Sequence, residues 1–304
     1  MKIPVPRFAT GLPRLFRRSV ATLDVEGDSV RLLAVKGRQV TEWGLEELEP
    51  GLVREGVVAD PQAVGAHIRS LLAGRRVGNG RFVASLTGQR SVPRILDLPE
   101  TSSQLLEAML PREMKREMPV PLDEMRLSFQ VIGSENGHLR VFALGVPRDV
   151  LDPQMKAIEF SGKKPDSMDI KPLALVRAVG LSDALIADLE PESIDIIVVR
   201  GGIPVTIRTV GLPPEAGQIE DKVRRLGEEL TRTVKFYNDI QPEPLARSTP
   251  LCLTGSLWEE VVLSGVAEAS VGLSWEPLAP PLDCPPGLPV ATFMVNIGLA
   301  LKEA

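Results

Sequence analysis

Several things are scarce in this 304-residue chain, and each scarcity removes a class of function. Its two cysteines, Cys252 and Cys284, are too few and too weakly framed by histidine for a zinc site or a disulfide scaffold, so they read as buried or incidental thiols of a reducing cytoplasm. Its two histidines, His67 and His138, lie in unrelated contexts, neither beside a serine, cysteine or paired carboxylate in a way that suggests a triad or an acid–base pair. No triad or acid–base pair is legible, and no catalytic residue and no metal ligand is assigned. No run of about twenty apolar residues exists to span a bilayer, and no signal-peptide core is present. Positive charge is not in excess either: a formal net charge of -5 speaks against a general nucleic-acid binder.

What is there, 43% hydrophobic and 25% charged residues, suffices for two domains with cores of their own. Residues 1–18 stand apart as a basic flexible arm. Lys2, Arg7, Arg14, Arg17 and Arg18 precede the first acid, Asp24, and alternate with Phe8, Leu12, Leu15 and Phe16, while Pro4, Pro6 and Pro13 break any regular helix. Such a segment suits contact with anionic lipid or a partner.

Beyond the arm the chain repeats itself. Asp24-Val25-Glu26 is followed thirteen residues after its Asp by Gly37, and Asp188-Leu189-Glu190 at the same interval by Gly201. In each copy an acidic tripeptide leads into a β-branched strand, Val30 to Val35 or Ile194 to Val199, then a glycine turn and a returning strand. This predicts two related halves with a ligand cleft between them. Between the hairpins the pattern predicts a helix over Pro61 to Leu72, a strand over Phe82 to Leu86, and then a change of texture from Pro93. There a helix over Ser103 to Met118 leads through a proline-bounded turn to strands Leu127 to Ile132 and Leu139 to Leu144 and a helix from Pro147 to Phe160. After the second hairpin, Ile219, Val223, Leu226, Leu230, Val234 and Tyr237 advance at the helical period and predict one long amphipathic helix. Strand Pro250 to Thr254, a helix near Leu257 to Val266 and a closing helix, Ala291 to Lys302, complete the chain.

Several segments carry a resemblance. The turn Met118-Pro119-Val120-Pro121-Leu122-Asp123-Glu124, the junction Met168-Asp169-Ile170-Lys171-Pro172-Leu173-Ala174-Leu175, the helix ending Lys235-Phe236-Tyr237 and the terminus Asn296-Ile297-Gly298-Leu299-Ala300-Leu301-Lys302 are similar to motifs of the PilM family of type IV pilus assembly proteins. That family is related to the cell-division protein FtsA and belongs to the actin-like superfamily. The resemblance covers Ser19 to the C-terminus and implies an α/β fold of duplicated ribonuclease H-like lobes with a small inserted α+β domain. The boundaries it implies are 19–86 with 166–187 for the first lobe, 87–165 for the insert and 188–304 for the second lobe.

The departures from the family pattern bear on chemistry. Nucleotide-binding members carry two Asp-Ile-Gly loops, in which glycine lets backbone N–H groups approach the phosphates and the aspartate organises Mg²⁺ and water. Here Asp24 and Asp188 remain, but Glu26 and Glu190 replace the glycines, and Pro191 lacks an N–H. A carboxylate ~4 Å from a phosphate charge costs roughly 4 kcal/mol at an effective dielectric near 20, about a thousandfold in affinity. The family's glycine-rich adenosine turn corresponds to Leu253-Thr254-Gly255-Ser256-Leu257-Trp258, with one glycine. Asp24, Glu26, Asp28, Ser29, Asp188, Glu190, Ser193 and Gly255 therefore read as a vestigial nucleotide pocket. No cofactor is expected, with ATP and Mg²⁺ entering only if the altered loops still bind.

The resemblance implies a non-catalytic cytoplasmic scaffold, peripheral at the inner face of the membrane. It would dock the N-terminal cytoplasmic peptide of a bitopic inner-membrane protein, PilN in that family, in a groove between the first lobe and the insert, with self-association left open. Met114, Met118, Pro119, Pro121 and Leu122 are the candidate contacts. Met109, Met114 and Met118 suit an adaptable surface, or, at helical spacing, a core. Two other readings remain at this stage: a working actin-like ATPase, and the cytoplasmic platform component of a type II secretion system. The latter normally continues into a membrane helix, whereas this chain stops at Ala304.

Overall fold

The computed structural model describes residues 19–78, 80–117, 121–212 and 218–302. The basic arm, 1–18, lies outside the described residues. The chain begins with β1 (Ser19–Val25), β2 (Ser29–Lys36) and β3 (Gln39–Glu47), the short ribbon β4 (Val53–Arg54) and β5 (Val57–Val58), then α1 (Pro61–Leu72) and β6 (Arg81–Leu86). Next come β7 (Val92–Pro99), α2 (Ser103–Glu117), β8 (Met125–Glu135), β9 (His138–Pro147), α3 (Arg148–Phe160), β10 (Ser167–Ile170) and α4 (Lys171–Val179). The second half holds β11 (Ala184–Leu189), β12 (Ser193–Arg200), β13 (Ile203–Gly211), α5 (Ile219–Ile240), β14 (Leu251–Thr254), α6 (Trp258–Ser264), α7 (Val266–Val271) and α8 (Met294–Leu301).

Two mixed sheets follow one plan. The first runs β10-β6-β1-β2-β3 and the second β13-β12-β11-β14, so a central hairpin is flanked by a third antiparallel strand on one side and a parallel strand on the other. The equivalence holds residue by residue. Asp24 pairs with Arg31 where Asp188 pairs with Asp195, and the register slips between Ala34 and Val35 as it does between Val198 and Val199.

Helices α4 and α8 lie between the sheets. Their Ala174, Leu175, Val295 and Ile297 share one cluster with Leu33 and Val83 of the first sheet and Ile186 and Ile197 of the second. The outer face of the first sheet is covered by α1 and α3, and that of the second by α5, α6 and α7. With both faces buried, the hairpin strands are apolar almost throughout, as the β-branched runs require. The two middle helices approach closely because residue 298 is glycine: a Cβ there would run into the carbonyl oxygen of Ala174.

Between β6 and β10 the chain builds a small antiparallel sheet, β7-β9-β8. One face packs Leu96, Leu98, Val141 and Ala143 against Leu106, Leu110 and Met114 of α2. The other sends Phe142, Leu144 and Val146 into the core of the first lobe. Three details differ from the sequence expectations. Strand β7 went unread because Pro93 and Pro99 argue against a strand, but it is an edge strand, where proline is tolerated. Helix α3, inside the expected insert of 87–165, packs on α1, and Leu151, Ala157 and Ile158 join the first lobe's core; Gly65 of α1 leaves the room, since a Cβ there would crowd Ala157 and Phe160. In α5 the buried stripe starts at Val223, with Ile219 exposed at the helix start.

Candidate functional site

The two acidic turns face each other across the gap between the lobes. Each is closed by its own backbone: the Glu26 N–H donates to Ser29 O at 2.8 Å and the Glu190 N–H to Ser193 O at 3.0 Å. Each aspartate accepts a hydroxyl hydrogen bond from the neighbouring parallel strand, Asp24 from Ser85 at 2.5 Å and Asp188 from Thr254 at 2.7 Å. Gly27 sits against the side chain of Glu192 from the other turn. Asp28 is exposed at the mouth, whereas Glu26, Ser29, Glu190 and Ser193 are buried.

Two cations fill the space between the turns. Arg31, 1% exposed, reaches from β2 to clasp Glu190 with two parallel bonds of 2.6 and 2.7 Å, donates to Thr292 O at 3.1 Å, and lies 3.8 Å from Asp24. Lys171, 3% exposed at the start of α4, places its ammonium 2.5 Å from Glu26, 3.0 Å from Asp188, 3.5 Å from Asp195 and 3.4 Å from the Ser193 hydroxyl. Ser256 adds a 2.6 Å bond to Glu190, and Asn296 of α8 donates to the carbonyls of Thr22 and Arg31, at 3.1 Å each.

The electrostatics follow from five carboxylates, Asp24, Glu26, Asp188, Glu190 and Asp195, sharing two cations in a buried site. Burial pushes Glu190 up, but the Arg31 charge and its paired hydrogen bonds outweigh burial and hold the carboxyl at about 2. For Asp24, Glu26 and Asp195 burial wins. It raises Asp24 against Arg31 and Lys171, raises Glu26 well above the usual carboxylate range against Lys171, and raises Asp195 to about 6 despite Lys171. Burial opposes the Lys171 charge, but Asp188, Glu26 and Asp195 keep its proton bound well above the ordinary lysine range.

A triphosphate with its metal does not fit this arrangement. The Glu26 and Glu190 amides are bonded within their own turns, Pro191 has no N–H to offer, and Arg31 and Lys171 hold the space between the aspartates. Gly255, expected in an adenosine turn, is fixed by packing. At φ +96° it lies over the end of β11, where a Cβ would meet the carbonyl oxygen of Leu189, and Trp258 just beyond it pairs with Trp275. Arg31, Lys171 and Asp195 were not assigned from the sequence. Arg31 and Asp195 had a signal, a lone charge inside an apolar strand opposite an aspartate; Lys171 had none.

Of the candidate docking residues, Met114 is fully buried in the core beneath α2 and no peptide reaches it; its helical spacing marked the core stripe. Met118 and Pro119 lie outside the described residues, and the segment Leu122–Glu124 forms a single 3₁₀ turn. Pro121 lines a cavity of about 460 Å³ at the junction of the small sheet and the first lobe, together with Val92, Met125, Pro147 and Arg148. Arg90 and Asp149 form an ion pair of 2.7 Å at its edge. Among the described residues no helix is long and apolar enough to cross a membrane.

Comparison with known proteins agrees with this architecture. The model of the family described as type IV pilus assembly protein PilM matches residues 22–208. Among solved structures, the PilM-PilN type IV pilus biogenesis complex aligns with a TM-score of 0.78 at 23% identity, over 94% of this chain and 98% of that one. The ethanolamine utilization protein EutJ from Carboxydothermus hydrogenoformans aligns with a TM-score of 0.52 at 13% identity, over 99% and 92%. The cytoplasmic domain of EpsL, an inner membrane component of the type II secretion system of Vibrio cholerae, aligns with a TM-score of 0.52 at 15% identity, over 94% of each chain. No curated protein sequence matches significantly. At these identities the structural likenesses establish the actin-like fold, and the family match, which runs from β1 into β13 over more than half of the chain, establishes the lineage: the chain belongs to the PilM family of type IV pilus assembly proteins.

Proposed function

We propose that this protein is a cytoplasmic scaffold of a type IV pilus machine, docking the N-terminal cytoplasmic peptide of a PilN-like bitopic inner-membrane protein without hydrolysing ATP. The observation that carries the reading is the pairing of a family-wide architecture with a cleft whose phosphate-facing positions are held by Arg31 and Lys171. Docking a short peptide in a groove does not need nucleotide chemistry, whereas an ATPase needs open phosphate loops. The small sheet with α2, within 87–165, acts in this reading as the docking module. Its junction cavity offers Val92, Pro121, Met125 and Pro147 as an apolar floor and Arg148 at its edge, a site for a short peptide with an apolar anchor.

The test is capture of the full chain by the immobilised N-terminal cytoplasmic peptide of a PilN-like bitopic protein from the same organism. Met125→Asp, which replaces an apolar residue of the floor with a charge, is expected to weaken capture at least ~10-fold, in line with the loss of a central anchor. Capture that Met125→Asp leaves unchanged would move the site elsewhere, and failure of the wild type to be captured would remove the docking role.

A further inference from the structure

The duplicated halves carry opposite charges at equivalent places. The residue paired with the turn aspartate is Arg31 in the first hairpin and Asp195 in the second. Arg31 reaches out of the first lobe to the second lobe's Glu190, with both carboxylate oxygens engaged. Lys171, which follows the first lobe's strand β10, reaches the second lobe's Asp188 and Asp195. The first lobe thus supplies the cations and the second supplies three of the carboxylates. A bidentate guanidinium–carboxylate pair fixes direction as well as distance, and a buried ammonium among three carboxylates attracts all of them more strongly than it would in bulk solvent. Around this hub Gly27 abuts Glu192, and Asn296, on a helix shared by both sheets, ties the backbones of β1 and β2.

We propose that Arg31 and Lys171 are the permanent ligands of the interlobe cleft, clamping the two lobes shut in the place where an actin-like protein would hold a nucleotide and its metal. Lobe closure is then constitutive, and the chain presents one fixed shape to its partners. This goes beyond the lack of hydrolysis: a protein that bound ATP and left it intact would contradict the clamp while leaving the docking reading standing.

Hydrogen exchange read by mass spectrometry on the full chain tests the clamp in segments 24–31 and 188–195, with and without ATP·Mg²⁺. In the wild type both segments are expected to exchange slowly, at rates that ATP·Mg²⁺ does not alter. Arg31→Met removes a first-lobe cation and is expected to speed exchange at least ~10-fold in the second lobe's 188–195 segment, because Glu190 is left buried without its partner. Should that variant fail to fold, Glu190→Gln keeps the shape and is expected to speed exchange in 24–31 to a smaller extent. Protection of either wild-type segment by ATP·Mg²⁺ would overturn the proposal. So would unchanged exchange across the cleft in whichever variant folds.

Discussion

Glu190 and Asp195 lie at opposite ends of the carboxylate range within one cluster, and the contrast sets the protein's response to acid. Glu190, held at about 2, contributes stability that is present above its ordinary 4.5 and is lost as pH falls toward 2. Asp195 acts in the other direction. Raised from 3.8 to about 6, it contributes stability that is complete below 3.8 and is lost as pH rises through 6. Asp24 and Glu26 are raised in the same direction, and folding takes up a proton at Asp195 near pH 6. We expect thermal stability to rise as pH is lowered from 8 toward 5.5. Asp195→Asn, which mimics the protonated acid, should stabilise by about 1–3 kcal/mol at pH 7.5 and by little at pH 4.5, since a shift of one unit corresponds to about 1.4 kcal/mol. Thermal unfolding across this range checks both; parallel pH profiles for wild type and Asp195→Asn would contradict the assignment.

At the scale of elements, the contact between α4 and α8 holds the two sheets to one layer and depends on Gly298. Gly298→Ala forces the helices apart against Ala174, and we expect a loss of about 3 kcal/mol in urea unfolding; a change below about 1 kcal/mol would mean that the helices separate freely. The hairpins were legible in sequence because both faces are buried, so acidic turns and glycines punctuate unbroken apolar runs. The same runs held an unused signal at Arg31 and Asp195, since a charge inside a strand buried on both sides must find a partner. Lys171 was not legible. Its reach to Asp188 and Asp195 exists only once β10 lies beside β6 and the lobes meet, a tertiary fact that local pattern does not encode. The packing of helix α3 on α1 was not legible for a related reason: amphipathic spacing says that a stripe is buried and does not say against which neighbour. The docking residues were least legible, because Met114 obeys the same spacing whether it faces a core or a groove.

At the scale of the molecule, the proposed clamp and the proposed docking cavity would divide the work between a rigid two-lobed body and a module at its side. The basic arm, 1–18, extends this arrangement toward the membrane as a proposal from sequence. Flotation of the full chain with vesicles containing anionic lipid should exceed that of a chain beginning at Ser19 at low salt and match it at high salt, as expected for screened attraction. Equal flotation of the two at both salts would remove the arm from membrane contact. The central claim, partner docking that does not depend on nucleotide, is tested most directly by titration calorimetry of the full chain with the N-terminal cytoplasmic peptide of a PilN-like bitopic protein from the same organism, in the absence and presence of ATP·Mg²⁺. We expect binding in both conditions with dissociation constants that agree within ~2-fold, a difference of about 0.4 kcal/mol; a peptide that binds only when ATP·Mg²⁺ is present, or not at all, would contradict it.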